Sequence, residues 1–170
     1  MTDRARVTPP MNSDERSTLE GWLDFQRSTL LLKCDGLTDA QVRTASVPPS
    51  PLTLQGLVQH MAEVERNWFR RVLGRETVPA IYDPSADTDG HDGGFDVDGQ
   101  TPFEKAVATW RREIDAGRAH CAASALEYAS PFAGTEVSLR WIYLHMIGEY
   151  ARHNGHADLI REGIDGVVGV

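Results

Sequence analysis

The chain has 170 residues, of which 41% are hydrophobic and 25% charged, and a formal net charge of -8. This length suits one domain with its own core, and this composition is ordinary for a soluble globular protein. The negative charge disfavours nucleic acid and anionic membranes as partners, because both carry negative charge themselves.

Three further features concern location and redox state. No apolar run approaches the ~20 residues needed to span a bilayer, and no apolar stretch follows the charged N-terminus. We therefore expect a cytoplasmic protein. Cys34 and Cys121 lie far apart and outside any CxxC pair, which predicts two reduced thiols, structural or on the surface.

The first predicted helix follows a short tail. Residues 1–11 are predicted to be a flexible tail, and residues 12–170 to form the folded domain. Asn12 followed by Glu15 resembles a capping box, which indicates a helix start near Asn12 or Ser13. Leucines and Trp22 continue at roughly helical spacing until Gly36 ends the helix.

The second predicted helix follows a proline-rich break at residues 47–51, which cannot be helical. Thr53 is the expected N-cap, with Ser50 as the alternative. Apolar residues then recur at steps of three and four until Gly74 ends the helix. This stripe consists of Leu54, Leu57, Met61, Val64, Trp68 and Val72.

Residues 75–100 are predicted to form a long connection, rich in Asp and Gly between positions 83 and 99. Two interpretations are open for its acidic residues. The first is a calcium loop, but the spacing does not match an EF-hand and no Glu occupies the closing position. The second, which we favour, is a solvated acidic loop. The residues concerned are Asp87, Asp89, Asp92, Asp96 and Asp98.

Two more helices complete the predicted fold. In the third, Thr101 is expected to be the N-cap residue and Pro102 the first helical residue, while the Glu104 side chain binds the backbone amide of Thr101. This helix is expected to end near Ala125. The fourth is expected to begin between Thr135 and Ser138 and to end near Gly163. No segment alternates like a strand of useful length. The sequence therefore predicts an all-α domain, a single four-helix bundle.

The fourth helix carries a cluster of potential ligands. If Glu149 is set at zero, His153 lies at about +40°, His156 at about -20° and His145 at about -40° around the helix. Glu149 and His153 are spaced i, i+4, so both can reach one ion. His60, at the edge of the second helix's stripe, is the candidate third ligand, since helical bundles commonly bind metals between facing helices.

The type of ligand narrows the choice of ion. Two imidazoles and a carboxylate suit Zn, Ni, Fe or Mn, and three ligands leave positions open for water or a thiol. The alternative is a hydrogen-bonded core histidine beside a helical Glu/His pair that binds no metal. His91 and His120 have no partner pattern and are predicted to be surface residues.

Two segments resemble the DinB/YfiT-like superfamily. The fourth-helix segment 138–162 shows an LRW…H…E…ARHxGHAD…RE pattern similar to an uncharacterised branch from high-GC bacteria, and segment 57–65, LVQHMAEVE, is similar to the first ligand motif. The resemblance implies a four-helix bundle of DinB/YfiT-like type with a metal triad of His60, Glu149 and His153. Many members of the superfamily have His as the second of the three ligands. The Glu at this position, Glu149, resembles the related mycothiol-dependent isomerases instead.

The resemblance also implies a function. Relatives are metal-dependent enzymes that use a low-molecular-weight thiol, such as mycothiol or bacillithiol. We therefore expect a thiol S-transferase or thiol-dependent isomerase with a divalent metal, zinc or else nickel, acting on a small electrophile. Arg152 and His156 border the same face and either bind substrate or are merely solvated. The alternative function is a non-catalytic metal-binding or stress-related bundle protein; in either case a homodimer is compatible with the family.

Overall fold

The computed structural model describes residues 6–82 and 93–169. Its helices are α1 (Glu15–Cys34), α2 (Asp39–Val42), α3 (Leu54–Glu65), α4 (Phe103–Ala122) and α5 (Leu139–Asp165). A π-helical segment (Arg66–Leu73), called the π segment below, continues α3. The strands β1 (Ala129–Phe132) and β2 (Thr135–Ser138) form an antiparallel hairpin in which Ala129 lies opposite Ser138. The mainly helical class expected from the sequence is confirmed, apart from this hairpin.

The four long helices meet around one apolar core. Helix α1 packs against α5, while α3 packs against both α4 and α5. The apolar positions that recur along these helices supply the core, because each faces inward once per turn. Each fully buried aliphatic side chain contributes about 1.5–3 kcal/mol relative to an exposed one. Core residues at most 1% exposed include Leu23, Leu30, Leu54, Leu57, Met61, Val64, Ile142 and Met146.

A buried polar network crosses this core. Arg27 of α1 donates hydrogen bonds from Nε and Nη2 to the two carboxylate oxygens of Glu65 in α3, at 2.8 and 2.7 Å. The Tyr150 hydroxyl of α5 donates to Glu65 at 2.6 Å, and Trp110 Nε1 of α4 donates to that hydroxyl at 2.8 Å. Because each charged group has its partners, the pair is compatible with full burial. The network thus joins all four long helices.

The helix starts differ in part from those expected. Thr53 caps α3 by accepting from the Gly56 amide at 3.0 Å, which confirms the first choice over Ser50. Helix α1 begins later than expected because Asp14, rather than Asn12 or Ser13, accepts from the Ser17 amide at 3.0 Å. The capping box expected at Thr101 is wrong.

The Thr101 hydroxyl does not cap α4. It donates to Asp98 at 2.7 Å, and Asp98 also accepts from the backbone amides of Gln100 and Thr101 at 2.9 and 2.8 Å. Pro102 is left as an N-cap without a side-chain hydrogen bond. The local Asp98 turn therefore replaces the predicted cap. At its other end, α4 stops at Ala122, short of the expected Ala125.

The segment before α5 is a strand and not the first turn of a helix. Thr135–Ser138 forms β2, and Ser138 then caps α5 by accepting from the Trp141 amide at 3.2 Å. Ala133 and Gly134, both with positive φ, make the turn of the hairpin. Helix α5 continues to Asp165, past the expected Gly163, and Gly166 ends it at φ +77°.

Other expectations concern thiols, membranes and the N-terminus. Cys34 and Cys121 are both buried and are not joined by a disulfide, so neither is a surface thiol. Burial raises the pKa of the Cys121 thiol to about 11. Within residues 6–82 and 93–169, no helix has the length and apolar character to cross a bilayer. The domain boundary after residue 11 stays a prediction.

Candidate metal centre

His60 lies on α3 with only 4% of its surface exposed. Its Nδ1 is 2.8 Å from the Gly93 carbonyl oxygen. A carbonyl oxygen can only accept, so Nδ1 carries the hydrogen and Nε2 presents its lone pair. The ring of Phe95 stacks on His60 with 4.0 Å between centroids and 17° between planes. The tautomer and orientation of His60 are therefore both fixed, as a metal ligand requires.

Residues 93–96 of the long connection lie directly on α3. A Cβ on Gly94 would meet the His60 backbone nitrogen at 2.8 Å, and Gly94 has a φ of +83°. The Gln59 amide nitrogen, in the orientation that satisfies its neighbours, donates to the carbonyl oxygens of Gly94 and Asp96 at 3.0 and 3.1 Å. The interpretation of this stretch as solvated is wrong for Gly93 and Gly94, which are buried.

Helix α5 supplies the other two predicted ligands. His153 Nε2 lies 3.4 Å from Glu149 Oε1, and these side chains are 7% and 15% exposed. The rings of His60 and His153 are 4.7 Å apart between centroids. One ligand atom from each of His60, Glu149 and His153 lies within 4.8 Å of the others. The fold thus brings the three sequence-predicted ligands together, although His60 lies 89 residues before Glu149 in the chain.

The electrostatics of the cluster suit a cation. Burial, with help from His156 and Arg152, lowers the pKa of His153 to about 4, so this imidazole is neutral near pH 7. Neutral imidazole is the form that binds metals. Arg152 donates from Nη1 to both oxygens of Glu149 at 3.2 and 3.0 Å, and His156 Nδ1 lies 3.4 Å from His153 Nδ1. The two residues predicted to border the site therefore contact two of the predicted ligands, Glu149 and His153.

The donor set fits a divalent transition metal. Ligands of tetrahedral zinc, at about 2.0–2.2 Å from the ion, lie about 3.4 Å from each other. Glu149 and His153 have that 3.4 Å separation, and one ligand atom of His60 lies within 4.8 Å of both. Two imidazoles and a carboxylate would leave further coordination positions open.

An aromatic group lies next to this cluster. His145, one helical turn before Glu149, stacks on Trp141 with 5.0 Å between centroids and 8° between planes. Its ring is 4.5 Å from that of Trp68 in the π segment. Burial lowers the pKa of His145. Among the described residues, His145 does not belong to the group that could hold a metal, although it shares their face of α5.

The remaining candidates are not part of the centre. His120 was predicted to be a surface residue without a partner, but its Nε2 lies 2.6 Å from Glu76 Oε1 and it is only partly exposed. His91 and three of the acidic residues of the calcium interpretation (Asp87, Asp89 and Asp92) lie outside the described residues. Asp98 is engaged by its own turn, and its pKa falls to about 2 because the Thr101 amide and hydroxyl donate to it.

Sequence reasoning missed the residues that hold His60 in place. Gly93, Gly94 and Phe95 lie in a stretch without periodicity, and only the Gly-Gly pair before an aromatic residue hinted at a close backbone approach. Gln59, directly before His60, was also missed. A buried amide beside a ligand is visible only once the packing is known.

Comparison with known families identifies the chain. The family model for mycothiol S-transferase matches residues 18–166. The chain belongs to the mycothiol S-transferase family. This assignment confirms the resemblance to the DinB/YfiT-like superfamily and supports, at the level of the family, a mycothiol-related transferase with a small-molecule thiol as substrate. No curated protein matches the chain.

Proposed function

We propose that this mycothiol S-transferase family member is a divalent-metal-dependent enzyme that transfers a mycothiol-type thiol to a small electrophile. In this proposal its four long helices form a DinB/YfiT-like bundle, and His60, Glu149 and His153 hold zinc, or else nickel. One observation carries the proposal: three ligand atoms of suitable type lie within 4.8 Å of one another where α3 meets α5. A thiol-dependent isomerisation would use the same site.

The chain's own residues prepare the site. The Gly93 carbonyl holds a hydrogen on His60 Nδ1 and so directs Nε2 towards the ion, and burial keeps His153 neutral, so His153 does not have to lose a proton before it binds. Arg152 orients the Glu149 carboxylate through two hydrogen bonds. A divalent metal, when bound, lowers the pKa of a coordinated thiol so that a thiolate exists near neutral pH.

The transfer itself is a substitution or addition at carbon. The thiol loses its proton to solvent, a carbon–sulfur bond forms, and the bond to the leaving group breaks with its electron pair. For an epoxide the broken bond is a ring C–O bond, and the alkoxide takes up the proton. Arg152, 64% exposed on its side chain, is the cation available beside Glu149 for an anionic or polar group of the thiol. His156, in contact with His153, is the second residue we assign to substrate binding.

Metal analysis and thiol consumption test the proposal together. Purified protein is measured for bound metal, and loss of free mycothiol is followed with a panel of aliphatic and aromatic electrophiles. We expect about one metal per chain and metal-dependent consumption. His153→Ala should abolish both, whereas His120→Gln, which removes an imidazole outside the cluster, should keep both.

Two other outcomes would count against the proposal. A full complement of metal without thiol consumption across the panel would favour the non-catalytic metal-binding protein. No metal after reconstitution would remove both functions from this site.

A further inference from the structure

Helices α3 and α5 run antiparallel along one seam. His60 of α3 lies 4.7 Å from His153 of α5, and Trp68, eight residues after His60, lies 4.5 Å from His145, eight residues before His153. Eight helical residues span about 12 Å, so the seam has a ligand end and an aromatic end. Glu149 lies halfway between His145 and His153, about 6 Å along the helix axis from each of these two histidines.

The aromatic end is built from three separate elements. Trp68 comes from the π segment, Phe132 from β1, and Trp141 with His145 from α5. The Trp68 ring lies 4.9 Å from Phe132 and 5.3 Å from Trp141. These separations are typical of stabilising aromatic pairs. We call these four residues the aromatic wall.

Two of the elements that build the wall are departures from a plain helical fold. A π-helical stretch has poorer hydrogen-bond geometry than an α-helix, and such stretches occur frequently at functional sites. Here it begins six residues after His60 and includes Trp68. The hairpin, absent from the sequence prediction, adds Phe132. Both irregularities contribute a ring to the same surface.

The exposed part of the wall has the size of a small ring. Trp68 is 6% exposed, whereas Phe132 and Trp141 are 37% and 46% exposed. These fractions leave roughly 200 Å² of aromatic surface open, given the area of such side chains. A stable contact between two copies of the chain needs roughly 500 Å² from each. The wall by itself is therefore too small for that partner, whereas its size suits a single flat group.

We infer that the aromatic wall binds an aryl group of the electrophile, so that the preferred substrates carry a ring next to the carbon that the thiol attacks. This inference rests on the proposed function. With styrene oxide, a carbon–sulfur bond forms at a ring-opened epoxide carbon, the C–O bond breaks, and the thiol proton ends on the oxygen. The distance of about 6 Å from Glu149 to His145 along α5 matches a phenyl ring within one or two bonds of that carbon.

The test compares binding of two conjugates, S-benzyl mycothiol and S-butyl mycothiol, to the metal-loaded protein by isothermal titration calorimetry. We expect the benzyl conjugate to bind about three- to tenfold more tightly, the range for one added aromatic contact. Trp141→Ala and Phe132→Ala should each reduce this ratio towards one. Trp22→Ala is the matched control, because Trp22 is 43% exposed on α1, outside the wall, and should keep the ratio.

The outcomes distinguish a failure of the proposed function from a failure of the aryl site. Binding of neither conjugate overturns the proposed function and the aryl site with it. Binding of both with equal affinity, or a ratio that survives Trp141→Ala and Phe132→Ala, overturns the aryl site alone. If Trp141→Ala does not fold, Trp141→Leu keeps the apolar volume without the flat face and should also lower the ratio. A dimer that dissociates on Trp141→Ala in sedimentation velocity would assign the wall to a second copy and also overturn the inference.

Discussion

His60 is held from two directions, by the Gly93 carbonyl and by the stacked ring of Phe95. Both contacts come from residues 93–95, which cross α3 so closely that position 94 has no room for a side chain. The position of this candidate ligand therefore depends on Gly93 and Phe95, which are not candidate ligands themselves. Such supporting contacts commonly affect metal affinity nearly as strongly as the ligands do.

Gly94→Ala should weaken metal binding. The new Cβ would lie 2.8 Å from the His60 backbone nitrogen, so residues 93–95 must move away from α3. We expect a 10- to 100-fold rise in the metal dissociation constant, the usual effect of disturbing such support. The control is Gly99→Ala, at a similar φ of +71° but with nothing within 4 Å of the added carbon. It should lower stability by about 1–2 kcal/mol and leave metal affinity unchanged. Equal effects on metal affinity would contradict this account.

The cluster of candidate ligands could be predicted from the sequence, for a physical reason. Glu149 and His153 are neighbours on one helix, so their i, i+4 spacing fixes their proximity without knowledge of the fold. His60 needed the additional assumption that α3 faces α5. The hydrogen bond to Gly93 and the pKa of His153 depend on burial by distant chain segments, which spacing cannot reveal.

At the scale of elements, helix starts depend on single side chains. Thr53 caps α3, the helix that carries His60, through its 3.0 Å bond from the Gly56 amide. Thr53→Ala should lower the free energy of unfolding by about 1 kcal/mol, because that amide loses its partner. Chemical denaturation measures the change. Thr53→Ser keeps the accepting oxygen and should restore most of the loss; failure of this rescue would mean that packing of the methyl group matters more than the cap.

The short elements of the fold could not be predicted from the sequence. Helix α2 (Asp39–Val42) is only four residues long and buries Val42 alone, too little for a periodic signal. Each strand of the hairpin buries only one residue, Ser130 or Val137, so no alternation stands out. The long helices, by contrast, repeat their apolar positions over several turns. Length and repetition, rather than residue type, therefore separated the predictable elements from the others.

At the scale of the whole molecule, the pair of Arg27 and Glu65 ties α1 to α3 inside the core. Arg27→Met should destabilise the protein by about 3–5 kcal/mol, because the Glu65 carboxylate loses its cation while it stays buried. Thermal or denaturant unfolding gives the value. Arg140→Met is the matched control: Arg140 pairs with Glu15 and Glu127 at the surface, where water replaces the lost partner, and little change is expected. Similar losses for both variants would contradict a special role for the buried pair.

A second ionic network contributes to the acid stability of the molecule. The side chains of Arg70 and His120 donate to Glu76 and lower its pKa from 4.5 to about 2. The pKa of Glu113 is also lowered, because hydrogen bonds from Arg66 and Arg70 outweigh its burial. Both carboxylates bind protons more readily in the unfolded chain, so their stabilisation is complete above about pH 4.5 and is lost as the pH falls towards 2.

The melting temperature should therefore fall steeply between pH 4.5 and pH 2.5, and Glu76→Gln should flatten this part of the profile. Differential scanning calorimetry from pH 7 downwards measures both effects. Glu136→Gln, which removes an exposed carboxylate of the hairpin, is the control and should reproduce the wild-type slope. A profile of Glu76→Gln that is parallel to the wild type would show that this carboxylate does not contribute.

The candidate ligands lie on two helices that belong to opposite halves of the chain, α3 and α5. An ion held between them would act as a cross-link that only the native state can form, and it would stabilise that state in proportion to the logarithm of the free ion concentration. The lifetime of the protein in a cell would then follow the supply of that ion. Under metal starvation, the seam between α3 and α5 would open more often, and proteases would remove the empty chains first.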